Sequence, residues 1–166
     1  MVVILHGGYR RDSYGAELGR PLAADLAAKG FATVNVEYRR VNDGGGWPQT
    51  GSDVAAAVDA LATEGQRLAG GRLDLSHVVA LGHSAGGQLA GWLAARRGAA
   101  VSLTGAVLQA GVLDLVRAAE TGLGGRAALV PLGVPSICVH GAEDSTVPLE
   151  VVGPRVKVTT AAARIG

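Results

Sequence analysis

One serine in this 166-residue chain stands in a setting suited to nucleophilic chemistry: Gly82-His83-Ser84-Ala85-Gly86-Gly87. A short apolar, partly β-branched run, Val78-Val79-Ala80-Leu81, precedes it and reads as a buried strand. Gln88 to Arg97 follows, with Leu89, Trp92 and Leu93 at helical spacing and Gly98 as a stop signal. A serine on so sharp a strand-to-helix turn is lifted clear of the sheet. The N–H groups at the helix start favour the negative charge that develops on a carbonyl oxygen under attack. Glycines at 82 and 86 suit the turn, because side chains there would collide with neighbouring backbone. The competing reading, a Gly/Ser-rich turn without chemistry, is weakened by two further motifs in the matching order.

The first is His6-Gly7-Gly8-Tyr9, directly after an apolar run at Val2 to Leu5. Gly7 and Gly8 let the main chain approach a substrate closely. A backbone N–H from this loop and the N–H of Ala85 would form an oxyanion hole. His6 reads as shaping the loop rather than moving protons. The second motif runs from His140 to Pro148, after the apolar run at Ser136 to His140. Asp144 is the carboxylate expected to hold and polarise an imidazole, with Glu143 as its neighbouring control. Tyr9, His83 and Trp47 are candidate substrate contacts, with Trp92 a further aromatic that suits the core equally well. No histidine follows His140, so the usual general base is not found after the acid. His83 adjoins Ser84 and should diverge from it. His77 lies at the far end of its strand. His140 is the best-placed substitute, but it reads as a buried, hydrogen-bonded histidine.

The elements that must hold these residues alternate. Strands are predicted at Val2 to Leu5, Phe31 to Glu37, His77 to Leu81, Gly105 to Gln109 and Ser136 to His140. Helices are predicted at Glu17 to Lys29, Gln49 to Leu68 and Gln88 to Arg97, with a shorter one at Leu113 to Glu120. Pro21 suggests that the first helix truly begins near it. Strands alternating with helices of ten or more residues imply parallel pairing and right-handed crossovers. The expected fold is therefore α/β: a three-layer α/β/α sandwich around a mostly parallel sheet, with its chemistry at the carboxyl ends of the strands. Residues 1–166 read as one domain, with a tail from about residue 150 in which the signal fades.

Composition bounds the rest. Apolar residues make up 48% and charged residues 17%, which is globular, and the net charge is +1. The Arg pairs at 10–11, 39–40 and 96–97 are dispersed, so no nucleic-acid surface is expected. The single cysteine, Cys138, excludes an internal disulfide and reads as a buried filler. No apolar stretch is long enough for a bilayer, and the first residues lack a basic leader, so a cytoplasmic protein without membrane contact is expected. The 26 glycines suit an α/β protein with many tight loops.

Four ordered segments, His6 to Tyr9, Val36 to Arg39, Gly82 to Gly87 and His140 to Pro148, resemble the α/β-hydrolase superfamily. The closer resemblance is to its single-domain esterase and arylformamidase-like group, over roughly residues 2 to 150. That resemblance implies hydrolysis of small carboxylic esters or aryl amides without metal or cofactor. Ser84 is then the nucleophile, Asp144 the acid, and Gly7, Gly8 and Ala85 the oxyanion region. Compared with the family pattern, the chain looks shortened at both ends, and its last residues lack the loop that carries the histidine. A second expectation follows: a catalytically silent or weakly active hydrolase-fold protein, acting as a binding module or as part of a homo-oligomer.

Overall fold

A computed structural model describes residues 1–8, 14–41, 43–114, 135–141, 144, 146 and 147, and the backbone of 158–160. The expected helix at Leu113 to Glu120 falls mostly outside these residues, as do Tyr9, Glu143 and most of the tail.

Six strands form one parallel sheet: β1 Val2–Leu5, β2 Thr33–Val36, β3 Val79–His83, β4 Gly105–Gln109, β5 Ser136–His140 and β6 Val158–Thr160. Their order is β2-β1-β3-β4-β5-β6. The register pairs Leu5 with Gly82, Gly82 with Leu108, and Leu108 with Cys138, so these residues lie on one face. α1 (Arg20–Ala28) links β1 to β2. α2 (Gln49–Asp59) and α3 (Glu64–Leu68) link β2 to β3, and α4 (Ala85–Ala95) links β3 to β4. The first crossover runs outward to the sheet edge and the later ones run back across it. Right-handed connections therefore put α1 on one face and α2 and α4 on the other. The expected α/β sandwich and parallel pairing are present.

The core lies mainly between the sheet and the α2/α4 layer. Val3, Leu5, Ala80, Leu108 and Cys138 meet Val54 and Val58 of α2 and Leu89, Ala90 and Leu93 of α4. Leu5 and Leu108 are each 1% exposed, and each such side chain contributes about 1.5–3 kcal/mol by leaving water. Cys138 is buried there as well, and burial pushes its thiol up to about 11. On the opposite face Ile4 is covered, whereas Ile137 of β5 is 57% exposed. Asp59 ties the ends of α2 and α4 together. It accepts from Arg96 Nη2 at 2.5 Å and from the amides of Ala100 and Val101.

Two helix boundaries differ from expectation. Pro21 lies in the first turn of α1, and a short 3-10 turn, Ala16–Gly19, carries the residues before it. The long helix expected at Gln49 to Leu68 is broken. A 3-10 turn, Ala60–Ala62, follows α2, and Thr63 leaves helical geometry at φ −120°, ψ −86° before α3 begins. The Ala-rich composition favours helix everywhere in this stretch. However, the turn that seats Leu61 in the core overrides that local preference.

Candidate active site

All the strands are parallel, so the loops after β1, β3 and β5 emerge along one edge of the sheet. These are the loops that hold Gly7 and Gly8, Ser84, and Asp144. β1 is the immediate neighbour of β3, and β5 lies two strands beyond it, a strand spacing of about 10 Å.

Ser84 joins β3 directly to α4 with φ 51° and ψ −117°, a conformation sparsely populated by residues with a side chain. Its amide continues the sheet, donating to the Gln109 carbonyl at 2.8 Å. Ser84 is the N-cap residue of α4, yet its side chain makes no capping hydrogen bond. A serine at this position ordinarily bonds the helix start; here the hydroxyl is left available. The two flanking glycines are required by contact. A Cβ on Gly82 would lie 2.1 Å from the Gly86 carbonyl oxygen, and one on Gly86 would lie 2.1 Å from that of Leu5.

The β1 loop closes over the same turn. A Cβ on Gly7 would lie 2.8 Å from His83 Nδ1 and 3.2 Å from Ser84 Cβ. Gly7 thus passes directly beside the serine, and Ala85 begins the helix behind it. Among the described residues, the N–H groups of Gly7, Gly8 and Ala85 donate to no backbone acceptor. The structure therefore brings Ser84, Ala85, Gly7 and His83 together, with Gly8 next along the loop and packed against Tyr14. His83 is exposed at this edge. Trp47 packs edge-on against Trp92, with ring centroids 5.2 Å apart. Trp92 lies eight residues beyond Ser84 on α4, about 12 Å along its axis.

Asp144 uses one carboxylate oxygen, Oδ1, to accept the amides of Thr146 and Val147, both at 2.9 Å. Its Oδ2 stands 3.9 Å from His140 Nε2. His140 is 2% exposed and its Nε2 donates to the Val147 carbonyl at 2.6 Å, so this imidazole holds the acid loop. His77 is exposed, bonded to Asp74 at 2.8 Å, and lies just before the amino end of β3. Among the described residues, no imidazole hydrogen-bonds the Ser84 hydroxyl.

Residues in and next to the Val36 to Arg39 segment, to which the sequence reading assigned no individual role, support the β1 loop. Tyr38 stacks flat on His6, with centroids 4.3 Å apart and planes 5° apart. Its hydroxyl donates to the His6 carbonyl at 2.6 Å. Glu37 accepts the amides of Ala16 and Tyr38 and lies 3.2 Å from His6 Nε2. Burial pushes the Glu37 carboxyl up. The two amide bonds, together with the nearby His6 and Arg40, more than offset this and hold it below the usual 4.5. Arg40 donates to the Tyr14 carbonyl at 2.7 Å, and Arg39 forms a bidentate pair with Asp53 of α2. In the sequence Val34, Val36 and Tyr38 alternate with Asn35, Glu37 and Arg39, which marks Tyr38 for the buried side of the chain but not what its hydroxyl meets.

Among the described residues, no three His, Cys, Asp or Glu side chains cluster closely enough to hold a metal ion. No described helix is long and apolar enough to cross a membrane.

The BD-FAE family model matches residues 1–111. A solved bacterial heroin esterase is 31% identical with a TM-score of 0.59, the match covering 68% of this chain and 35% of that one. The carboxylesterase Cest-2923 from Lactobacillus plantarum WCFS1 is 21% identical with a TM-score of 0.71, covering 96% of this chain and 69% of that one. MGS-M1, an α/β-hydrolase enzyme from a Medee basin deep-sea metagenome library, is 20% identical with a TM-score of 0.66, covering 96% and 65%. The chain therefore spans about a third of the first of these proteins and about two thirds of the other two. No curated protein sequence matches it. The two more distant likenesses show a shared fold.

Proposed function

The chain belongs to the BD-FAE family of α/β-hydrolase-type esterases, and from that premise we propose that it is a serine hydrolase of small carboxylic esters or aryl amides. Ser84 attacks the carbonyl carbon and forms an acyl-enzyme. The N–H groups of Gly7, Gly8 and Ala85 receive the carbonyl oxygen as it gains negative charge. Asp144, with Oδ1 tied to its own loop, is the carboxylate that would hold an imidazole base through Oδ2; among the described residues no imidazole stands between it and Ser84. The observation that carries this reading is the strained backbone at Ser84, pressed against Gly7 with its hydroxyl uncommitted. Strain held at one polar residue in a structure is a mark of function.

The arrangement of the histidines favours a second reading, a silent or weakly active hydrolase-fold protein that binds ligands or self-associates. His6, His77 and His140 are each engaged away from Ser84. A site with nucleophile and oxyanion donors but no base retains only about 10³–10⁴-fold acceleration over water.

One experiment separates the two. Hydrolysis of p-nitrophenyl acetate is measured for the protein and for Ser84→Ala, with and without added imidazole, alongside labelling by a fluorophosphonate. The hydrolase reading expects labelling that requires Ser84, and a Ser84-dependent rate that free imidazole increases. Equal rates for protein and variant in every condition, with no labelling, leave the silent reading standing.

A further inference from the structure

We propose that Tyr38 and His6 are a positioning pair that sets the direction of the oxyanion donors. This inference rests on the serine hydrolase reading. A trans peptide is planar, and its C=O and N–H point in opposite directions. The Tyr38 hydroxyl grips the His6 carbonyl at 2.6 Å, and this fixes the His6–Gly7 peptide plane. The N–H of Gly7 belongs to that plane, so it points away from Tyr38. His6 Nδ1 lies 2.8 Å from the Gly7 carbonyl and donates to it, which fixes the next plane, that of Gly7–Gly8. The N–H of Gly8 therefore points away from the imidazole. Two consecutive glycines would otherwise let both planes rotate, and two side-chain hydrogen bonds stop them.

The pair is itself held. His6 and Tyr38 are each 3% exposed and stack face to face. Glu37 contacts both, through His6 Nε2 and through the Tyr38 amide, and also takes the Ala16 amide ahead of α1. Both nitrogens of His6 face acceptors, the Gly7 carbonyl and the Glu37 carboxylate. A preformed oxyanion hole depends on donors that need no reorganisation as charge develops. In this chain the glycines supply closeness, and the aromatic pair supplies direction.

The test is Tyr38→Phe, which keeps the stacked ring and removes the hydroxyl alone. Two readouts are taken on the full chain: the rate of Ser84 labelling by a fluorophosphonate, with kcat and KM for p-nitrophenyl acetate, and the ¹H–¹⁵N amide resonances of Gly7 and Gly8. The expected result is a labelling rate and kcat at least tenfold lower, KM within twofold, and a displaced Gly7 amide resonance. Unchanged labelling and an unmoved Gly7 resonance overturn the proposal. If the parent protein is not labelled at Ser84, the hydrolase reading fails, and the Gly7 resonance alone decides whether Tyr38 sets that peptide. A parallel fall in kcat and rise in KM, with resonances shifted throughout the sheet, marks general loosening and also overturns it.

Discussion

Ser84 carries a structural cost with its position. Its φ of 51° and ψ of −117° suit glycine, and the residue is held there by β3 on one side and α4 on the other. Strain of this kind costs about 1–3 kcal/mol. Ser84→Gly is expected to raise stability by about 1 kcal/mol after the greater freedom of glycine in the unfolded chain is subtracted. For a chain of this size that is about 2–4 °C in Tm. Ser84→Ala keeps the strain and should leave Tm within about 1 °C of the parent, on the same scale. Thermal unfolding of the three proteins checks this, and a Ser84→Gly protein no more stable than Ser84→Ala would show that the turn is unstrained.

The elements meet through a few polar ties, of which Glu37 is the most connected. It follows β2, accepts an amide from the turn that leads into α1, and touches the β1 loop through His6. Its carboxyl is held below the usual 4.5 in the folded chain, despite the upward push of burial. A group with a depressed folded value contributes stability that is present above its unfolded value and disappears as pH falls through the folded one. Between about pH 6 and about pH 3 the parent should therefore lose more Tm than Glu37→Gln does. Asp53, Asp59 and Asp74 are also lowered and contribute equally to both proteins, whereas Glu17, which the Glu37 charge pushes up, opposes the difference slightly. Equal slopes would show that Glu37 is not tied to the fold. Glu37 is half exposed, so the difference is expected to be modest.

For the whole molecule, the two sheet faces are unequal. The α2/α4 face is sealed, with Leu108 1% exposed, whereas Ile137 on the opposite face is 57% exposed. Leu108→Ala should cost about 2–5 kcal/mol by leaving a cavity, and Ile137→Ser about 0.5 kcal/mol or less. Urea unfolding midpoints measure both, and comparable losses would mean that Ile137 is covered in solution. The parallel order β2-β1-β3-β4-β5 gathers at one edge loops as far apart in the chain as Gly7 and Asp144, as switch-point chemistry requires.

Much of this was legible in the chain. The five strands up to His140, the elbow at Ser84 and the glycine loop at 7–8 follow from local causes: apolar runs of strand length, and glycines where only a bare backbone fits. Those signals are written in consecutive residues, so reading them needs no folding. The break at Thr63 was not legible, because an Ala-rich segment favours helix until the core demands a turn. Nor was the role of Tyr38, whose hydroxyl meets a carbonyl 32 residues away. His140, read from the sequence as a buried, hydrogen-bonded histidine, is buried and bonded; only its partner, the Val147 carbonyl, was a matter of packing. Residue type and spacing announced by themselves which groups could do chemistry. Only the tertiary structure decided which of them share a site and in which direction their donors point, because hydrogen-bond direction depends on contacts between strands that the sequence does not place side by side.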